Sequence, residues 1–383
     1  MKSRIKYWTK DENVRNFGDS LSEFLASELF LDIEDNGPDV HLIGSVISDG
    51  FVPPPRLDQD GREIEGPRVT FWGCGIRQPE SLTLQNYENV ELLAVRGPVS
   101  ASDLRLGASV PTGDPALLLP ALYEPRMVQR FAGRRICIPH FHEKRSDREL
   151  LDLCGCELVL RPNIAPGNDA IKSFIDALCS ASFVLTASLH GAITAAAYGR
   201  PFAFWNIGWL DLPTKWQDTA ALLNIPFQLC TTVEEAETFF REEVVQNYRR
   251  PPTWQLLSRA PFPLKPVALL KVLDYELRAE ACGSEKVGEF LSLFTELSSH
   301  FDRLAVGINE RRARRWASLG RDVDRARGEA EHARDESVAL RSQVDNLSAE
   351  LEAARTEAAA LHERLRAHVA QSEQAAAEAA SRT

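Results

Sequence analysis

The sequence predicts a two-lobed α/β protein that ends in a long α-helical coiled coil. Short apolar runs of strand length alternate with amphipathic patterns of helix length, the signature of parallel sheets joined by crossover helices. The alternation pauses and restarts between residues 125 and 130, so there are two such lobes. Beyond Trp316 the chain holds no Trp, Phe, Tyr or Pro and is rich in Ala, Glu and Arg. These observations divide the 383 residues into an N-terminal lobe (1–125), a second lobe (126–255), a helical connector (256–317) and a coiled coil (318–383).

In the first lobe, Asn16-Phe17-Gly18-Asp19-Ser20 precedes a helix predicted over Leu21–Leu31, whose Leu21, Phe24, Leu25 and Leu29 share a face. Val40–Ile47 reads as one buried strand, Val69–Gly75 and Val90–Val95 as two more, and Ser109–Thr112 as a short fourth. The Pro- and Gly-rich stretch from Pro53 to Pro67 reads as a surface insertion. In the second lobe, strands are predicted at Arg135–Pro139, Leu158–Leu160, Phe183–Thr186 and Phe202–Trp205. Helices are predicted between them at Arg148–Leu153, Ala170–Ala181 and Gly191–Tyr198. The tail carries a heptad seam from Leu319 through Val344, Leu347, Leu351, Ala354, Ala358 and Leu361 to Leu365, in alternating steps of four and three. The regular seam implies association into a homo-oligomer rather than a solitary helix.

Composition excludes several classes. A net charge of −11 argues against a nucleic-acid binder. The basic run Arg311, Arg312, Arg314 and Arg315 reads as a solvated helix face, with peripheral contact to anionic lipid as the other reading. The N-terminus has no apolar signal-peptide core, and no apolar run approaches the ~18 residues of a membrane span. The seven cysteines show no zinc-type spacing; Cys154-Gly-Cys156 reads as an accident of a strand edge, and reduced thiols fit a cytoplasmic location. P-loop, dinucleotide-binding and nucleophile-elbow motifs are absent.

Chemistry concentrates where strands end. Thr186-Ala187-Ser188-Leu189-His190-Gly191 runs from a strand through a small-residue turn into a helix, which aims His190 and the helix N-terminus into the cleft. Alone, His190 also suits a buried turn cap. Val95-Arg96-Gly97-Pro98 delivers Arg96 to a strand end, where guanidinium recognises carboxylate or phosphate; a surface ion pair is the other reading. Asp19 suits a helix cap beside Asn16, and Gly18 allows close approach of the backbone. Arg77 follows the Gly73-Cys74-Gly75 strand end, and Lys215 sits beside Trp216 at a helix start. Gly113-Asp114-Pro115 reads as a turn. His140 and His142 fall on one face of a strand end, without a third ligand for a metal.

In order and spacing these segments resemble the polysaccharide pyruvyltransferase family, with likeness to its bacterial exopolysaccharide, succinoglycan-ketal branch. The resemblance rests on Asn16-x-Gly18-Asp19, Arg96 with Ser100, Asp114, Leu189-His190-Gly191 with Gly199 and Pro201, and Lys215-Trp216. It spans about residues 14–225 and omits the coiled coil. It implies two Rossmann-like lobes of glycosyltransferase GT-B type, acceptor side first and donor side second. The implied reaction moves pyruvate from phosphoenolpyruvate to a sugar of an exopolysaccharide, or of its lipid-linked precursor, as a ketal. No cofactor or metal is implied. His190 and Asp19 would be catalytic; Arg96, Arg77, Ser188, Gly191, Lys215, Asn16, Gly18 and His142 would bind substrate. Many members place Arg where this chain has Ser188, so either Arg77 or Lys215 compensates or the affinity for the donor is lower. A lipid-linked acceptor would bring a cytoplasmic protein to the inner membrane face. Competing readings are a nucleotide-sugar glycosyltransferase of the same fold and a non-catalytic glycan-binding scaffold.

Overall fold

The structure, a computed structural model, describes residues 4–7, 13–31, 37–57, 63, 65–279, 346–361 and 363–367. It is mixed α/β and divides into two compact units, Met1–Lys265 and Pro266–Thr383.

The first unit contains two parallel sheets. Its early elements are β1 (Arg15–Asn16), α1 (Phe17–Leu29), β2 (Asp39–His41), β3 (Ser45–Ile47), β4 (Val69–Ile76), α2 (Leu84–Tyr87), β5 (Val90–Val95), α3 (Pro98–Asp103) and α4 (Leu119–Leu122). All eight residues of β4 are buried, as the central strand of a parallel sheet requires. On one side β4 pairs with β5; on the other, its first half pairs with β2 and its last residues with β3. Isolated parallel bridges add Ile5 beside Val40 and Thr112 beside Val95. The predicted single strand Val40–Ile47 is therefore two. Gly44, at φ +124°, turns the chain between them, a conformation that costs glycine little.

The second sheet is built from β6 (Arg135–Ile138), β7 (Leu158–Val159), β9 (Phe183–Thr186), β10 (Phe202–Trp205) and β11 (Leu229–Cys230). Its order is β11-β10-β9-β6-β7 with every pair parallel. Counted from β6 this is the flavodoxin-like order 2-1-3-4-5, which reverses direction between β6 and β9 and opens a crevice beyond their carboxyl ends. The helices are α5 (Asp147–Cys154), α6 (Asn168–Ser180), α7 (Leu189–Ala197) and α8 (Pro213–Leu222). All nine residues of the Ala-rich α7 are buried, so it lies inside the unit.

The sequence reaches α1 earlier than its apolar periodicity suggests, because Asn16 caps it and Phe17 already faces inward. Phe17 stacks on Phe174 of α6 at 4.0 Å between ring centroids. β1 adds an antiparallel pairing with β8 (Asn163–Ile164), and Phe17 N–H donates to Pro162 O at 2.8 Å. The N-terminal segment is thereby fastened to elements of the second sheet's half.

The second unit contains helix Pro266–Ala279 and a helix at 346–361. Ala354, Leu361 and Ala358 pack against Leu270, and Arg364 reaches Asp274 at 3.7 Å. Three seam positions thus meet a helix of their own chain. The seam from Leu319 to Val344, the basic run Arg311–Arg315 and residues 58–62 of the Pro-rich insertion lie outside the described residues. Among the described residues, no helix is long and apolar enough to cross a membrane.

Candidate active site

A cavity of about 520 Å³ lies where the carboxyl ends of strands from both sheets converge. Asn16, Asp19, Arg77, Arg96, His142, Ser188, His190 and Lys215 all line it. Gly18 and Gly191 do not; they make room. A Cβ on Gly18 would stand 2.4 Å from His190 Nδ1, so α1 can lie against the imidazole only because residue 18 has no side chain. A Cβ on Gly191 would meet Thr186 Oγ1 at 2.8 Å.

Arg96 leaves the end of β5 and is fully buried. Its Nε donates to Asp114 Oδ2 at 3.2 Å and its Nη1 to Ser45 Oγ at 2.8 Å, while Nη2 has no partner. Gly75 allows this placement, since a Cβ there would lie 2.6 Å from Nη1. A buried guanidinium nitrogen without an acceptor is costly unless a group from outside the protein completes it. Asp114 is likewise fully buried and also caps the 3-10 turn Pro115–Leu118 through Ala116 N–H at 2.9 Å. Burial pushes its carboxyl up, but the charges of His190 and Arg96 and the Ala116 N–H outweigh that and hold it below the usual range. The Gly-Asp-Pro segment is thus a structural carboxylate, more than the turn its sequence suggests.

His190 enters at the first turn of α7, and its Nε2 lies 3.5 Å from Asp114 Oδ2. That separation is too long for a formed hydrogen bond, so Nε2 is buried without a hydrogen-bond partner. Ser188 begins α7 without capping it by its side chain; its N–H instead donates to Thr186 Oγ1 at 3.0 Å. Across the cavity, Asp19 is half-buried and accepts from Asn16 Nδ2 at 2.8 Å. Burial raises its pKa, against the Asn16 hydrogen bond and the charges of His190, Lys215 and His140.

A second charged group faces this one. Lys215 Nζ donates to Asp211 Oδ2 at 2.5 Å, and His140 Nε2 lies 3.4 Å from the same oxygen. His140, the nearby Lys215 and their hydrogen bonds hold the Asp211 carboxyl well below its ordinary value. Lys215 is lowered by burial, with Asp211 opposing. His140 Nδ1 accepts from His142 N–H at 3.2 Å, and its ring meets the Trp209 ring edge-on at 4.6 Å. His140 and His142 follow β6, which ends at Ile138, so they belong to the loop at its end instead of a strand face. Leu212, between Asp211 and α8, is held at φ +46°, a strained conformation at the cavity wall. Asp211 escaped the sequence reading, although its i,i+4 spacing to Lys215 was visible.

Ser100 does not line the cavity. Its Oγ donates to Asp218 Oδ2 at 2.6 Å and accepts from Ile76 N–H at 3.1 Å. Asp218 Oδ1 accepts from Val99 and Ser100 N–H at 2.9 and 3.0 Å. One carboxylate of α8 thus caps α3, and fastens the helix bearing Lys215 to the turn after Arg96. Gly97 is required beneath it, since a Cβ would stand 2.5 Å from Asp218 Oδ1. Arg77 is exposed at the rim and makes no ion pair with a described residue.

Outside the cavity lining, the structure gathers Cys137, Cys154 and Cys156, whose sulfurs all lie within 4.8 Å of one another. Spacing alone showed only the last two; Cys137 arrives through the parallel pairing of β6 with β7.

Comparison with known proteins places these residues in context. Residues 62–205 match the family described as Polysaccharide pyruvyl transferase. The chain is also 22% identical over 224 residues to the succinoglycan biosynthesis protein ExoV of Rhizobium meliloti (strain 1021). That match covers 58% of this chain and 65% of the relative. No solved structure matches significantly. Arg96, Asp114, Ser188 and His190 fall inside the matched segment, whereas Asn16, Asp19, Asp211 and Lys215 flank it in sequence and join it in space. Over residues 62–205 the chain is therefore similar to the polysaccharide pyruvyl transferase family.

Proposed function

We propose that this protein transfers pyruvate from phosphoenolpyruvate to a sugar of a bacterial exopolysaccharide, or of its lipid-linked precursor, as a pyruvate ketal. The observation that carries the reading is the pair of buried nitrogens without a hydrogen-bond partner, Arg96 Nη2 and His190 Nε2, on two cavity-lining residues that both fall in the segment similar to the family. Phosphoenolpyruvate carries a carboxylate and a phosphate, so it needs two cationic regions. Arg96 with the N-terminus of α7 supplies one, and Lys215 with Arg77 the other. The cavity of about 520 Å³ has room for the donor and part of a sugar ring.

The residues suit the chemistry. A proton adds to the donor methylene and leaves an oxocarbenium-like carbon; a sugar hydroxyl attacks that carbon and loses its proton. A second hydroxyl of the same sugar then attacks the same carbon as its bond to the phosphate oxygen breaks, and its proton leaves with the phosphate, giving the ketal and inorganic phosphate. His190 is assigned as the acid, because its Nε2 makes no hydrogen bond within the protein. Asp19 is assigned as the acceptor-side base, and Asn16 Nδ2 orients it. Arg77 fills the role that the family's Arg has at position 188, since it alone of the two compensating cations lacks a carboxylate partner among the described residues. Two Rossmann-like lobes of GT-B type would bring acceptor and donor together in the cleft.

The test is thermal stabilisation by phosphoenolpyruvate against a panel of nucleotide sugars, followed by phosphate release with candidate acceptors. Ligand at about 100 times Kd adds about 2.7 kcal/mol to native stability. A shift with phosphoenolpyruvate that disappears in Lys215→Ala supports the proposal. A shift with a nucleotide sugar alone replaces it by glycosyl transfer.

A further inference from the structure

We propose that Cys137, Cys154 and Cys156 form a closed three-thiolate site for a soft d10 cation, of which Cu(I) is the biological example. All three are buried, at 0%, 0% and 7% exposure, and none is in a disulfide. Their sulfurs lie within 4.8 Å of one another. Metal–sulfur bonds of about 2.3 Å in a trigonal plane put sulfurs about 4.0 Å apart, so closure needs only a small inward rotation of the side chains. Cys74, Cys179 and Cys230 are also buried but take no part in the group.

The backbone builds the cluster from separated segments. Cys154 is the last residue of α5, and Gly155 reverses the chain in the left-handed conformation at φ +72°. Cys156 therefore follows on the return path, so both sulfurs reach the Cys137 side of β6. Glu157 N–H donates to Arg135 O at 2.8 Å and Leu160 N–H to Cys137 O at 2.9 Å, which fixes the return strand beside β6. The slight exposure of Cys156 gives an entry route.

Ligand chemistry selects the metal. Thiolates favour soft cations over Mg(II) or Ca(II). Zn(II) would seek a fourth ligand, and no further His, Cys, Asp or Glu joins the three among the described residues. The site would staple the end of α5 to the sheet, and none of its three residues lines the cavity.

The experiment uses the full chain, reduced and metal-free, titrated with Cd(II) as an optical probe and with Cu(I) against a chelator. Sulfur-to-cadmium charge-transfer absorption is expected to saturate at about one equivalent and to raise the melting temperature, while Mg(II) does neither. The band is lost in Cys156→Ser and kept in Cys230→Ser. X-ray absorption at the cadmium edge of the wild type decides the matter even if a variant fails to fold. Three sulfur neighbours support the site. Two or fewer, or a band that survives Cys156→Ser, overturn it.

Discussion

Asp114 and Asp19 show how differently two carboxylates of one cavity are used. Asp114 is locked between Arg96, the Ala116 N–H and the edge of His190, so its charge is structural. Asp114→Ala leaves the Arg96 guanidinium buried without its anion, and should cost about 3–5 kcal/mol in urea unfolding. Asp114→Asn retains an acceptor for the cap and should cost less. Asp19 has the opposite balance, because burial raises its pKa above that of the unfolded chain. The folded protein therefore binds this proton more tightly. The group favours folding at low pH, and that contribution is lost as pH rises through the folded value. Asp19→Asn should raise the melting temperature at pH 7, with the gain narrowing as pH falls toward the ordinary carboxylate range. The same variant should lose transferase activity. A variant that is both more active and no more stable would remove Asp19 from the base role. At the rim, Arg77→Ala should leave stability within about 0.5 kcal/mol. It should raise the KM for phosphoenolpyruvate about tenfold with little change in kcat, as expected for a binding cation.

At the scale of elements, the site depends on ties between segments distant in sequence. Asp218 connects α8 to α3 through three hydrogen bonds, and through Ser100 to Ile76 at the end of β4. Asp218→Ala should therefore cost about 2–3 kcal/mol and also raise the donor KM, because Lys215 shares the helix with Asp218. Asp218→Asn keeps one acceptor and should restore part of both; equal loss in the two variants would mean that bulk packing is the cause. These ties also explain what the sequence made legible. Val90–Val95, Phe183–Thr186 and Phe202–Trp205 are continuous strands with the bounds their sequence predicts; the last two are buried throughout, and Val90–Val95 is buried at Ala94 and Val95. His190 and Arg96 were visible because each follows such a strand and adjoins a glycine. Asp211, Asp218 and the Cys137 contact were not, since their meaning lies in partners brought by the sheet order. Gly44 shows a further limit: a turn inside an apolar run leaves the composition of a single strand intact.

For the whole molecule, catalysis and assembly are expected to separate. Every cavity-lining residue falls between Asn16 and Lys215, inside the first unit. In the second unit, Ala354, Ala358 and Leu361 already meet Leu270 of the same chain, so that part of the seam has an intramolecular partner. Association between chains would then depend on the seam from Leu319 to Val344, which includes Ala326, Ala330 and Ala333. Alanine buries little apolar area, at about 25 cal/mol per Å², so the resulting homo-oligomer should be concentration-dependent. Sedimentation of the full chain should show a mass above the monomer that falls on dilution, whereas a chain ending at residue 317 should sediment as a monomer. That truncated chain should keep the melting shift with phosphoenolpyruvate, because no donor anchor is removed. A full chain that stays monomeric at every concentration would refute association through the heptad. A truncated monomer that loses its phosphoenolpyruvate shift would mean that the second unit supports the cavity as well as assembly.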